Sequence, residues 1–220
     1  MLLNKFNLAV AKFASKDKTR PALQNVHVTR DYVEATEGHV FIRVDVQHQI
    51  PSDEFPVIAG FNGGSVPTEE GGVLVNAVEF EKLSKRIPKN TKFLPVLQHV
   101  SIDAGSDENF VIAATTDLEQ PVVSMLRKDD CTYPAVDQIF PVEAEELCSI
   151  QINAKYLKLL YDVVKGMNID DRVKLTIYKD DSSSCGGTKS AIRFDCKSAD
   201  TGQRASGLIM QLPHVDFAEE

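Results

Sequence analysis

Leu74-Val75, then Ala77-Val78-Glu79-Phe80-Glu81-Lys82-Leu83-Ser84-Lys85-Arg86-Ile87-Pro88-Lys89-Asn90, is the stretch on which the fold turns. A short apolar run leads directly into a segment of helical period. Leu83 and Ile87 fall on one side of that helix. Lys82, Lys85, Arg86 and Lys89, spaced i, i+3, i+4, i+7, fall on another. The spacing predicts a strand running into a helix over 77–90, apolar on one side and cationic on the other. Three runs rich in Val, Ile, Phe and Thr follow, at Leu94–Ile102, Phe110–Thr115 and Val122–Leu126, punctuated by Gly, Asp, Asn and Ser. The local unit is therefore β-α-β-β-β.

The same plan is legible on both sides of this stretch. Upstream, a helix over Asn4–Lys16 precedes β-like runs at Ala22–Thr29, Tyr32–Ala35 and Val40–Val46, with only Met1–Leu3 left for a leading strand. Downstream, Ser149–Ile152 leads into a helix over Ala154–Gly166, then runs at Val173–Tyr178, Ala191–Cys196 and Ala205–Leu212. Asn153 is placed to cap the third helix, and Gly166 stands where a C-terminal glycine belongs. Residues 51–72 form the first joint, rich in Gly, Pro and acids. Residues 129–146 form the second, stiffened by Tyr133-Pro134 and Pro141. Asp180–Lys189 reads as a hairpin loop. The expected class is α+β, built from three β-α-β-β-β units, with helices on one face of curved antiparallel sheets. Units one and two make one domain, residues 1–141, and unit three makes half a domain, residues 142–220.

The 220 residues suffice for a buried core, and 43% apolar with 25% charged residues is ordinary globular composition. The net charge of −8 argues against a basic nucleic-acid binder only as an average. The three helical segments hold ten basic side chains against Glu79, Glu81 and Asp162, a net +7, which leaves −15 for the rest. Lys5, Lys12 and Lys16 share one face of the first helix, and Lys155, Lys158 and Lys165 share one side of the third. The apolar sets lie elsewhere: Phe6, Val10 and Phe13; Leu83 and Ile87; Leu157, Leu160 and Val164. Lysines on exposed helix faces commonly serve only solvation. Their recurrence at one place in three units, against an acidic background, points instead to a shared surface for phosphates. Little aromatic interleaving accompanies them, so base stacking is not the expected mode.

Three motifs then resemble one family. Ala35-Thr36-Glu37-Gly38-His39 resembles the Ala-Thr-Asp-Gly-His turn of bacterial DNA polymerase sliding clamps, the β subunits of the replicative polymerase. Tyr133-Pro134-Ala135-Val136-Asp137-Gln138-Ile139-Phe140-Pro141 is similar to their crossing between domains, and Gly207-Leu208-Ile209-Met210-Gln211-Leu212 to their C-terminal strand. The resemblance implies a clamp fold, with double-stranded DNA passing the basic helices. It implies no cofactor. It also implies an apolar cleft for peptide motifs of DNA polymerase and clamp loader, at Thr36, Gly38, His39, Val40, Phe41, Pro134, Gln138, Ile139, Leu208, Ile209, Met210 and Leu212. Branched aliphatics and a methionine suit such a groove, although strand residues of this kind are as often plain core. Glu37, Val40-Phe41, Gln211, Asp137 and Gln138 depart from the family pattern. So does the length, three units where the family has six. Rings of that family hold twelve units, so four chains would supply the count of a homo-oligomeric ring. An adaptor that keeps the cleft but does not encircle DNA is the alternative.

Other chemistry is weakly signalled. Gly60-Phe61-Asn62-Gly63-Gly64 lacks the Gly-Lys-Ser/Thr ending of a phosphate loop. Asp129-Asp130, Asp170-Asp171 and Asp180-Asp181 sit at turns, where acids are the default. His27, His39, His48, His99 and His214 show no ligand spacing, and no nucleophile motif is present, so no enzyme is expected. Cys131, Cys148, Cys185 and Cys196 form no Cys-x-x-Cys pair. Reduced thiols in a cytoplasm are expected, with a Cys185–Cys196 bridge as the alternative. The first residues lack a signal-peptide pattern, and no apolar run reaches membrane-spanning length.

Overall fold

The computed structural model describes residues 1–46, 50–61, 72–88, 94–136, 150–166, 172–177, 191–197, 204–210 and 212. The chain is a mixed α+β protein with antiparallel sheets, and it divides into two compact units, Met1–Phe140 and Pro141–Glu220.

Unit 1 begins with strand β1, Leu2–Asn4, which runs straight into helix α1, Lys5–Ala9, and a 3-10 turn over Val10–Phe13. Strands β2, Asn25–Val28, β3, Tyr32–Thr36, and β4, Phe41–Asp45, follow. The same order then recurs: β5, Val73–Asn76, helix α2, Ala77–Ser84, and strands β6, His99–Asp103, β7, Phe110–Thr116, and β8, Pro121–Asp129. All eight strands form one curled antiparallel sheet in the order β1-β6-β7-β8-β5-β2-β3-β4. Each leading strand therefore crosses to the other half. Leu3 of β1 pairs Val100 of β6, and Val75 of β5 pairs Val26 of β2. Within the second half β5 also pairs its own last strand β8, where Leu74 pairs Asp129 and Val75 pairs Lys128.

An asparagine makes each strand-to-helix turn. Asn4 accepts from the Phe6 and Asn7 N–H groups, and Asn7 returns the bond to the Asn4 N–H, a reciprocal capping box. Asn76 accepts from the Val78 N–H. Helix α1 is shorter than the Asn4–Lys16 expected. Ala14 turns extended and the Ser15 N–H bonds the Leu23 carbonyl, which draws the chain off the helical path. Helix α2 stops at Ser84, ahead of Pro88, where a proline disfavours helix in the preceding residue. The expected runs Ala22–Thr29 and Leu94–Ile102 each open with a 3-10 turn instead, at Pro21–Gln24 and Pro95–Gln98, because proline lacks the N–H a ladder needs.

The core of unit 1 packs Leu8, Val10, Phe80 and Leu83 of the helical segments on Val26, Val33, Val75, Val100, Ile102 and Val111 of the sheet. A smaller cluster joins Leu2 and Ala114 to Phe55, Ile58 and Phe61, so part of the first joint is folded onto the sheet. Phe6, expected on the packed side, is 63% exposed; Leu8 and Ala11 take its place.

Unit 2 holds helix α3, Ala154–Gly166, over a three-stranded sheet in the order β11-β10-β9. Its strands are β9, Lys174–Ile177, β10, Ala191–Lys197, and β11, Arg204–Met210. Leu160, Val164, Ile192, Cys196 and Ile209 form its core. Asn153 caps α3 by accepting the Lys155 N–H. The leading strand expected at Ser149–Ile152 does not form over Ile150–Ile152. A single backbone bond, Leu212 N–H to the Gln151 carbonyl, ties that segment to the end of β11. Leu157, expected in the core, is half exposed. Among the described residues no helix is long and apolar enough to cross a membrane.

Candidate nucleic-acid interface and apolar groove

The cations of unit 1 sit on neighbouring elements. Helices α1 and α2 pack against one another, and α2 also packs on the 3-10 turn after α1. Lys5 opens α1, Lys12 lies in that turn and Lys16 three residues beyond it. Lys82 is in α2, and Lys85 and Arg86 lie in the turn that ends it. All six are exposed. The chain brings them together on a shorter helical frame than the seven- and eleven-residue spacing implies, since Lys16, Lys85 and Arg86 fall outside regular helix. Lys89 lies outside the described residues.

Local contacts occupy two of the six. The Lys5 ammonium stands 5.1 Å from the centre of the Phe6 ring, and the Arg86 guanidinium donates to the Ser124 hydroxyl on β8. Among the described residues none of the six lies within ion-pair distance of a carboxylate. Lys12, Lys16 and Lys18 share a groove of about 690 Å³ with the first turn of α2, and Glu81 is the acid on its wall. Unpaired, solvated amines on adjacent elements can neutralise phosphates without reading sequence. In unit 2, Lys155, Lys158 and Lys165 are likewise exposed along α3, and the Lys165 ammonium lies 6.0 Å from the Tyr161 ring centre.

The residues expected to form a peptide cleft fall into two groups. In unit 1, Thr36 is buried at the end of β3, where its hydroxyl donates to the Val40 carbonyl and accepts the Gly38 N–H. Gly38 has a φ of 100°, the left-handed region that glycine occupies without strain. The turn after β7 has the same design. The Thr116 hydroxyl accepts the Leu118 N–H, and Leu118 has a φ of 77°. The Ala-Thr-Glu-Gly-His motif is thus a hairpin turn first. His39 and Val40 are exposed beside it, and Phe41 is half-buried with its ring 5.7 Å from the Arg43 guanidinium. Pro134 is exposed; Gln138 and Ile139 lie outside the described residues.

In unit 2, Leu208, Met210 and Leu212 are exposed and Ile209 is buried. Leu208, Ile209 and Met210 line an apolar groove of about 460 Å³ together with Tyr156, Leu159 and Leu160 of α3, Phe194 of β10, and Ala205 and Ser206 of β11. The helix contribution was missed in the sequence. Its signal was available: Tyr156 and Leu159 are exposed apolar residues at i, i+3 on an otherwise cationic helix. Gly207, paired with Phe194 across the strands, leaves no room for a side chain against the Phe194 ring.

The buried charges are structural. Arg43 Nε and Nη2 both meet Glu34 Oε2 at 2.7 Å, and Glu34 Oε1 contacts His27 Nδ1 at 2.7 Å. The Arg43 guanidinium also stacks 3.9 Å from the Tyr32 ring. The Tyr133 hydroxyl, beside the His27 ring, is pushed up by burial and by the Glu34 charge. Cys131 and Cys196 are free thiols. Among the described residues no three His, Cys, Asp or Glu side chains converge as a metal site would need. No family model matches the chain, and no curated protein matches it.

Proposed function

We propose that this chain is a sliding-clamp-like processivity factor, a binding protein that performs no catalysis. The observation that carries the reading is the side-by-side packing of α1 and α2, which with their flanking turns display six exposed cations from an otherwise acidic chain. The recurrence of strand, helix and three strands in unit 1, with leading strands exchanged between halves, supports a duplicated clamp-type domain. Unit 2 supplies a third copy of the helix and its three strands, a half-domain. In this reading duplex DNA lies along the basic segments. Lys5, Lys12, Lys16, Lys82, Lys85, Arg86, Lys89, Lys155, Lys158 and Lys165 hold its phosphates by weak, sequence-independent contacts that permit sliding. The acidic remainder repels DNA from the other surfaces.

Charge reversal tests this. Lys82→Glu, Lys85→Glu, Arg86→Glu and Lys89→Glu together should weaken duplex binding and lower its salt dependence. With a slope near 0.9 per neutralised phosphate, losing four contacts removes about 3 to 4 from it. Duplex retention unchanged by the quadruple variant, with an unchanged melting curve, would reject the DNA-facing assignment.

The second reading is a peptide-binding adaptor that does not encircle DNA, and the apolar groove of unit 2 favours it. Its exposed Leu208 and Met210 and the adaptable thioether of the latter suit a short apolar peptide. A fluorescent clamp-binding peptide separates the readings: binding to the chain without any duplex retention supports the adaptor alone.

A further inference from the structure

Unit 1 and unit 2 start from the same local plan, yet different parts of it are covered. The capping asparagines Asn4, Asn76 and Asn153 put the helical segments in register. The seventh helical position is buried in all three, as Ala11, Leu83 and Leu160. The fourth is not. Leu8 is 0% and Phe80 1% exposed, but Leu157 is 44% exposed. The first strand after the helix follows suit. Strands β2 and β6 are largely buried, whereas β9 exposes Leu175 at 51% and Ile177 at 49%.

In unit 1 the two helices pack against one another, and each half's first post-helix strand receives a strand from the other half. There α2 turns its first turn and Glu81 toward the segment after α1, and the crossing strands β5 and β1 cover β2 and β6. Among the described residues β9 pairs only with β10. The own-half bond survives: Leu212 to Gln151 corresponds to the β8–β5 pairing of unit 1. Among the described residues no strand crosses onto the far side of β9.

We infer that a second copy of this chain supplies it: two unit 2 modules associate about a two-fold axis, α3 against α3, with Ile150–Ile152 of each copy laid along β9 of the other. The contact is isologous, because the surface contains both the strand edge that receives and the segment that is given. The pseudo-two-fold junction that unit 1 makes within one chain becomes a true two-fold between chains. Leu157, Tyr161, Leu175 and Ile177, each about half exposed, offer roughly 400 Å² of apolar surface per copy. A stable interface buries about 800 Å² per partner, and the strand pairing along β9 adds to this apolar surface. Among the described residues the far edge of β9 is unpaired, and proteins cover or blunt such edges.

Sedimentation velocity on the full chain, without DNA or peptide, from about 1 to about 100 µM, tests this independently of the DNA reading. The expected species is a dimer or an assembly of dimers. Leu157→Glu with Tyr161→Glu should raise the dissociation constant at least about tenfold. Ile177→Lys, on the strand edge, should do the same and serves if the helix variant fails to melt cooperatively. Val123→Glu with Met125→Glu, exposed on β8 of unit 1, should leave the mass unchanged. A wild-type monomer at the highest concentration, variants of undiminished mass, or equal loss in the β8 control each overturns the proposal. So does a monomer that binds an apolar peptide on α3.

Discussion

Asn7 is a buried polar side chain with every capacity in use. Its oxygen closes the capping box on Asn4, and its amide donates to the Val44 and Asp45 carbonyls at 3.4 and 2.9 Å. Those carbonyls lie on β4, one end strand of the sheet, and Asn7 follows directly on β1, the other. One side chain thus bridges the ends of the curled sheet without a strand ladder. Asn7→Ala removes a buried amide and leaves two part-buried carbonyls without their donor, and should cost about 1–3 kcal/mol in chemical denaturation. Glu34 is the sharper case. Glu34→Ala leaves Arg43 half-buried without its carboxylate, and about 3–5 kcal/mol of lost stability is expected in the same assay. Neither role was legible beforehand. Asn7 and Glu34 looked like ordinary polar residues of a helix and a strand, because what they bind lies far away in sequence. The caps were partly legible. Asn153 was recognised, and the same strand-then-asparagine pattern at Asn4 and Asn76 would have aligned the three helices.

At the scale of elements, the junction of β5 and β8 carries a titratable group. Hydrogen bonds from the Cys131 thiol and the Asn25 amide hold the Asp129 carboxyl below its ordinary value. A depressed carboxyl contributes stability that is present above the unfolded value, near 3.8, and lost as pH falls through the lower folded value. Asp129→Asn should therefore flatten the acid limb of a melting-temperature profile below about pH 4, with little change in its shape above. The same bond pushes the Cys131 thiol up. The variant should then speed Cys131 alkylation at pH 8, read by peptide mass spectrometry, since the thiolate is the nucleophile. Turns tell a related story. Leu118 holds a left-handed conformation that Gly38 holds without cost, so Leu118→Gly should stabilise by about 0.5–1 kcal/mol. Strand positions followed from runs rich in Val, Ile, Phe and Thr bounded by turn residues. Helix ends did not, because Pro88 and the Ser15–Leu23 bond stop helices that a cationic stripe alone would have continued.

For the whole molecule, the two proposed surfaces make separable demands. The basic segments of unit 1 predict salt-dependent, sequence-tolerant duplex binding. The groove of unit 2 predicts apolar peptide binding that Met210→Ala with Leu212→Ala weakens at least about tenfold by fluorescence anisotropy. Gly207→Val should disturb the same binding from within, because its side chain must displace Phe194, which lines the groove. Binding that survives both changes would place the peptide elsewhere. Self-association through α3 and β9 should be indifferent to Met210 and Leu212, since those residues lie on the β11 side.

The amino-acid sequence by itself determined the order of helix and three strands in each unit, the asymmetry of charge between helices and remainder, and the apolar runs that become strands. These are local properties, set by periodicity, caps and turn residues within a few positions. Tertiary structure alone decided which strand crosses to which half, which polar side chains bridge distant carbonyls, and which apolar helix positions stay uncovered. Leu8, Phe80 and Leu157 occupy one helical position and carry similar side chains. What separates the buried pair from the exposed leucine is the packing around it, with Leu8 and Phe80 inside the unit 1 core and Leu157 at the surface, and no local pattern in the chain encodes that.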